Sequence, residues 1–262
     1  MTPPTFSANL GFLWRDLPLD QAIRRAHAVG FDAVECHWPY ASDPATLRTA
    51  LRETGLAMLG LNTPVGDAAK GDFGLAALPG REGEARAAID LSLHYATAIG
   101  SRAVHVMAGK TDLLEAEAVF LENLDYAARQ AELRGLTILV EPLNARDVPG
   151  YFLRGIDHAA ALVDQIRGQN VRLMFDCYHQ QISGGDLCAS FARHLGRIGH
   201  VQIAAVPDRG EPDRGEVDYR WLIPELYRMG YRGAIGAEYR PRGDVEAGLG
   251  WLEILKTDAL IT

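Results

Sequence analysis

Cysteine is scarce in this 262-residue sequence, with Cys36, Cys177 and Cys188 the only three. An odd and sparse set cannot make a disulfide framework, so reduced thiols in a cytoplasmic protein are expected. No apolar run approaches the roughly 18 residues that would cross a bilayer, so no membrane partner is expected. The start, MTPPTFSANL, lacks the basic residues and apolar stretch of a secretory signal. Positive charge is not in excess either: 26 Lys and Arg stand against 34 Asp and Glu, a formal charge of −8. That balance disfavours broad electrostatic capture of nucleic acid. Low-complexity tracts and linker-like shifts of composition are also missing, so a single domain over residues 1–262 is expected. With 48% hydrophobic and 23% charged residues, the composition is that of an ordinary globular chain.

What is present is alternation. Short apolar runs of strand type are followed by longer segments of helical period, with glycine or proline between them. TFSANL, DAVEC, AMLGLN, AVHVM, TILVE, VRLMFD, GHVQIA and GAIGAE read as strands, each followed by a helical segment. Asp43 and Pro44 mark one helix start as N-cap and first helical residue. Gly30, Gly55, Gly100 and Gly135 close helices. Eight strand–helix units in a chain close to the usual length of about 250 residues predict an α/β fold, a (β/α)₈ TIM barrel. The competing open doubly wound sheet should carry a G-x-G-x-x-G turn after the first strand, and NLGFLWRDLP has none.

Barrel chemistry gathers on the rim formed by the strands' C-terminal ends. There TILVE ends in Glu141, VRLMFD in Asp176 and GAIGAE in Glu238, while GHVQIA carries Gln202. Any one of these could be a helix N-cap. Four successive strands offering an oxygen to one rim point instead to a shared site. Three crowded carboxylates repel one another, and a divalent cation offsets that repulsion. An all-oxygen set suits Mg²⁺ or Mn²⁺ better than zinc. Glu35, Asn62 and His105 occupy the ends of the earlier strands, and Cys177, beside Asp176, points to the other face as packing.

The motifs FSANL, VE...PY, the glycine-rich loop ending in PGR, GKT, EPLN...VPGY, D.YH, GH.QIA, RGEP, GE.DY and EY.P occur in this order. On these motifs, almost end to end, the chain resembles the hydroxypyruvate isomerase family within the wider xylose isomerase-like barrel superfamily. The resemblance implies a metal site of Glu141, Asp176, Gln202 and Glu238, with proton transfer by Glu141 and Glu238 and a contact from His179 to substrate oxygen. One departure lies after QIA: Ala205-Val206-Pro207 stands where the family commonly has Asp-Asn-Pro.

The implied substrate is a small hydroxy or oxo acid whose carbonyl moves to the neighbouring carbon through an enediolate. Its carboxylate calls for a cationic partner, and Lys110 and Arg209 are the candidates, with Glu211 expected to orient Arg209. Asn62 and Glu35 are expected to support the pocket, with a structural salt bridge an equal alternative for Glu35. Phe12, Trp14, Trp38 and Tyr40 are candidates to cover it, and the long segment from Thr63 to Arg81 is expected to act as a moving lid. Barrels of this kind often associate, so a homo-oligomer is compatible with the sequence. The competing readings are a 2-oxo-tetronate isomerase, a ketose 3-epimerase, a non-catalytic sugar-acid binding protein, and a metal-dependent DNA-repair endonuclease. The last would want a histidine-rich zinc site and basic loops.

Overall fold

In the computed structural model, which describes residues 3–258, the apolar runs become parallel strands: β1 (Phe6–Asn9), β2 (Ala33–Glu35), β3 (Ala57–Met58), β4 (Leu61–Asn62), β5 (Ala103–His105), β6 (Thr137–Val140), β7 (Val171–Asp176), β8 (Ile198–Ile203) and β9 (Ile235–Ala237). Their order is β3-β2-β1-β9-β8-β7-β6-β5-β4, all neighbours parallel. The two ends of that order, β3 and β4, are halves of the one run AMLGLN. β3 pairs with β2 and β4 with β5, so the run closes the sheet into a barrel of eight staves. The single third strand expected from sequence is therefore two short pieces, separated by Leu59 and Gly60, which stay bonded on the β2 side: Leu59 N–H donates to Val34 O and Cys36 N–H to Gly60 O, and pairing with β5 begins at Leu61.

The helices α1 (Leu19–Ala28), α2 (Pro44–Thr54), α3 (Glu82–Ile99), α4 (Ala116–Glu132), α5 (Ile156–Val163), α6 (Cys177–Ser183), α7 (Leu187–His194), α8 (Tyr219–Met229) and α9 (Gly250–Asp258) lie between and after the strands. Their boundaries have local causes. Asp43 accepts from Thr46 N–H at the start of α2, and Gly55, in the left-handed region at φ 71°, ends it. The short α6 was not expected. Its cap is Asp176, whose carboxylate accepts from Tyr178 N–H at 2.8 Å. Among the described residues, no helix is long and apolar enough to cross a membrane.

Burial follows the two periods. Along the strands Phe6, Val34, Val104, Ile138, Leu173, Val201 and Ile235 are buried toward the helices. The alternate residues point into the barrel. There the side chains are small or polar: Ser7, Ala33, Ala103 and Gly236, with Leu139 and Met174. A cavity of about 550 Å³, lined by Arg102, Arg172 and Met174, reaches the floor of the rim at Asn9, Glu35, His105 and Gln202.

The segment from Thr63 to Arg81 is less free than a lid would be. Leu75 and Ala76 N–H donate to Met107 O, and Ala77 N–H donates to Ala108 O at 2.7 Å. Gly74 makes this approach practicable: a Cβ there would lie 2.6 Å from Met107 O. The docked stretch, Gly74 to Ala77, is part of the wall, which corrects the expectation of a cover moving as a whole.

Candidate active site

Glu141 follows β6, Asp176 ends β7, Gln202 lies near the end of β8 opposite Asp176 in register, and Glu238 follows β9. Parallel pairing of four consecutive staves brings all four to one rim. All are at least 94% buried. Glu141, Asp176, His179 and Glu238 each present an atom within 4.8 Å of the others.

Their oxygens are not equally used. Glu141 Oε1, Asp176 Oδ2 and Gln202 Oε1 are buried without a hydrogen-bond partner. Asp176 spends only Oδ1 on its cap, so N-cap and cluster member are compatible roles for one residue. Gln202 donates its amide to Glu35 at 2.7 Å, which leaves its oxygen free. Bare buried oxygens are costly unless something electropositive meets them. Together with the carboxylate of Glu238 they fit a metal ion that prefers oxygen donors.

Glu238 is the best-satisfied of the four. Its Oε1 accepts from Asn9 Nδ2 at 3.0 Å and lies 2.9 Å from His37 Nε2, and its Oε2 accepts from Arg209 at 2.5 Å. Burial would raise its pKa, but the Arg209 charge and the His37 contact outweigh burial and hold it low. Glu141 is pushed the other way, well above the usual carboxylate range, by burial and then by the charges of Glu238 and Asp176. Asp176 is raised by burial and Glu238. Burial likewise depresses His179, to about 3, and His105, to about 4. His105 sits below Glu141 with its Nδ1 3.7 Å from Oε2.

Arg209 is the cation of this cluster. Its backbone adopts φ 57°, held by Arg209 N–H to Ala205 O and Arg240 N–H to Arg209 O. Its guanidinium lies over Phe12 at 4.9 Å and Tyr178 at 5.0 Å. It also approaches Asp176 at 3.8 Å and Asp147 at 3.6 Å. Ala205 and Val206, where the family motif differs, are buried in the turn that presents it.

The other expected residues divide. Glu35 is a hub under the site, accepting from Ser7 at 2.9 Å, Asn9 at 3.0 Å and Gln202, with His200 Nε2 at 2.6 Å. Asn62 ends β4, and its carbonyl accepts from the Tyr40 hydroxyl. Lys110 is exposed, its ammonium 5.7 Å from the Phe73 ring centroid. Glu211 does not orient Arg209. It is buried against Arg242, accepting from that residue's N–H at 3.0 Å and pairing with its Nε at 2.6 Å. The turn after β8 aims Glu211 at the loop beyond β9, away from Arg209. Trp38 donates its indole N–H to Thr63 O, and Trp14 packs in the core against Phe31.

Three contributors were not read from sequence. His37 lies in the loop after β2, at an unspecified position inside the VE...PY motif. Asn9 sits inside the FSANL motif, and only barrel closure shows its purpose. Asn144, in the EPLN motif, is fully buried and contacts His179.

The sequence model of the xylose isomerase-like TIM barrel family matches residues 23–255. The chain belongs to that family. It is 44% identical to the 2-oxo-tetronate isomerase of Cupriavidus necator over 254 residues, covering 95% of this chain and 98% of that one. The hydroxypyruvate isomerase of Escherichia coli is 36% identical, over 95% of this chain and 98% of its own length. A solved structure described as an AP endonuclease, family 2, from Brucella melitensis superposes with a TM-score of 0.92 at 43% identity. That match covers 95% of this chain and 98% of the other.

Proposed function

We propose that this xylose isomerase-like barrel is an isomerase that interconverts hydroxypyruvate and tartronate semialdehyde through an enediolate. The observation that carries the reading is the meeting of Glu141 and Glu238, from the ends of β6 and β9, in one buried site completed by Asp176 and Gln202 from the two staves between them. Moving a carbonyl to its neighbour needs a base to take a proton from one carbon and an acid to return it to the next. Two carboxylates whose surroundings push their proton affinities apart supply such a pair. Glu238, held ionised by Arg209, suits the base. Glu141 is the second proton-transfer carboxylate, and the roles of the two exchange when the reaction reverses.

The donor set favours Mg²⁺ or Mn²⁺, held by Glu141, Asp176, Gln202 and Glu238; when bound, such an ion supplies Lewis-acid stabilisation of charge on the substrate oxygens. The remaining work belongs to the chain. Arg209 offers a positive charge to the substrate carboxylate, and His179 offers a hydrogen bond to a substrate oxygen. Lys110 and Asn62 complete the rim, and the buried walls keep water from the enediolate.

A four-carbon substrate, 2-oxo-tetronate, is the second reading, favoured by the Cupriavidus relative of that name at the higher identity. Both are tested together. The protein is chelated, Mg²⁺ or Mn²⁺ is restored, and hydroxypyruvate, 2-oxo-tetronate and an abasic DNA duplex are supplied separately. Product from hydroxypyruvate that disappears on chelation supports the leading reading, and product only from the four-carbon acid moves it to the second. DNA cleavage without isomerisation, or activity untouched by chelation, overturns it.

A further inference from the structure

His179 has a neighbour that decides which of its nitrogens carries hydrogen. The Asn144 backbone N–H donates to His179 Nδ1 at 3.0 Å. The Asn144 side-chain nitrogen Nδ2 lies 2.7 Å from the same Nδ1. The orientation of that amide is fixed from its other end: Asn144 Oδ1 accepts from Asp147 N–H at 2.9 Å. Nδ2 is therefore the atom that faces the ring. Two donors converge on Nδ1, and a hydrogen there would meet both. Nδ1 must offer its lone pair, so the ring hydrogen is on Nε2. Nε2 is the atom that faces the cluster, 3.6 Å from Asp176 Oδ2.

We infer that Asn144 is a positioning residue that locks His179 as an Nε2–H donor, and that His179 is thereby barred from ligating a metal although it stands among the carboxylates. Nε2 has no lone pair to give while Nδ1 faces Asn144. The donors named for the metal, Glu141, Asp176, Gln202 and Glu238, are then joined by no nitrogen from His179, which contributes a fixed hydrogen directed at whatever oxygen lies between it and Asp176. A ring free to exchange its hydrogen could join the metal donors instead and would draw the site toward softer ions. The lock is nearly dry, with Asn144 and His179 buried to 99% or more. Water has little chance to replace either donor.

The inference rests on the proposed isomerase only for the identity of the oxygen that Nε2–H meets; the tautomer stands or falls separately. The test uses protein labelled with ¹⁵N histidine, before and after addition of Mg²⁺, with the His179 resonances assigned through His179→Gln. The expected spectrum has a protonated Nε2 and an unprotonated Nδ1 for His179, and Mg²⁺ leaves the pattern in place. A proton on Nδ1, or loss of the Nε2–H when Mg²⁺ binds, overturns the inference. Asn144→Asp presents an oxygen where Nδ2 was and sets it against the backbone donor that remains, so hydrogen should appear on Nδ1 in part of the population and kcat for hydroxypyruvate should fall by about 10–100-fold, the range for residues that orient a site from behind. Asn144→Ala keeps the backbone donor, so it should retain the tautomer and lose less kcat. An unchanged spectrum and kcat in a folded Asn144→Asp protein would also overturn the inference. If that variant does not fold, the wild-type spectrum decides alone. A wild type inactive on both oxo acids would refute the proposed reaction and leave the tautomer result intact.

Discussion

Glu141→Gln separates what the carboxylate cluster costs from what it does. Charged donor atoms in the cluster lie within 4.8 Å of one another. At an effective dielectric of about 20, two like charges at that distance repel by about 3.5 kcal/mol. An ionised Glu141 feels this from both Asp176 and Glu238, and Arg209 returns roughly one such amount as attraction. The net cost is about 3.5 kcal/mol. Glutamine removes the charge, keeps the shape, and adds an N–H₂ that can donate to the neighbouring oxygens. After chelation at pH 8, the variant should therefore melt higher than the wild type, by roughly 7–14 °C for a chain of this size.

The sign with pH follows from the raised pKa. Between the unfolded carboxylate value of about 4.3 and its higher folded value, the native state holds more protons than the unfolded one. Stability tied to Glu141 is complete below that window and is lost as pH rises through it. The gap between variant and wild type should accordingly close near pH 4.5. Saturating Mg²⁺ at pH 8 should raise the wild type more than the variant and narrow the gap from the other side. Turnover of the metal-restored variant should fall by about 10²–10⁴-fold as a proton-transfer group is lost. Differential scanning fluorimetry across pH and steady-state kinetics read both effects. A metal-free variant that melts at or below the wild type at pH 8, or a gap that persists at pH 4.5, would refute the electrostatic account.

Three further outcomes are expected. His37→Phe removes the contact to Glu238 Oε1 and should reduce kcat about tenfold or more, with His37→Gln recovering most of it; equal kcat in the phenylalanine variant and wild type would dismiss His37 as a support. Arg209→Met should raise KM for hydroxypyruvate by at least about tenfold through loss of the cation, and an unchanged KM would remove Arg209 from carboxylate binding. Gly236→Ala would place a Cβ 2.7 Å from both Glu35 oxygens and 2.9 Å from Gln202 Cγ. Overpacking of that kind should cost about 1–3 kcal/mol and weaken Mg²⁺ retention, seen as a lower melting temperature with a smaller Mg²⁺ shift.

The barrel was legible because each stave announces itself locally, as in VRLMFD, whose observed limits match the run itself. The strand-end carboxylates were legible for the same reason, since parallel staves place all their C-terminal ends on one rim. What could not be read depends on closure. Asn9 and His37 meet Glu238 across 229 and 201 residues of chain, and no local spacing encodes that. Glu211 was attached to the nearer arginine in sequence, but the turn around Arg209, with its positive φ, sends the two side chains apart. The helix α6 escaped because its cap doubles as the last residue of a strand. The long segment before α3 looked mobile from its glycines, yet Gly74 is there to let two backbones touch.

The floor beneath the rim bears on how such a site can change over generations. Glu35 draws one hydrogen bond from the Gln202 amide, and that demand is what turns the glutamine oxygen outward. An imidazole at position 202 would have to satisfy Glu35 with one nitrogen and face the rim with the other. The permitted chemistry of that donor is thus decided by a carboxylate the substrate never meets. Drift at Ser7, Asn9 or His200 would strand the Glu35 charge and shift the burden onto Gln202, so substitutions among these positions should be tolerated in combination more readily than one at a time. A lineage could exchange an oxygen-donor site for a nitrogen-donor one by first altering residues deep in the barrel, with the rim following.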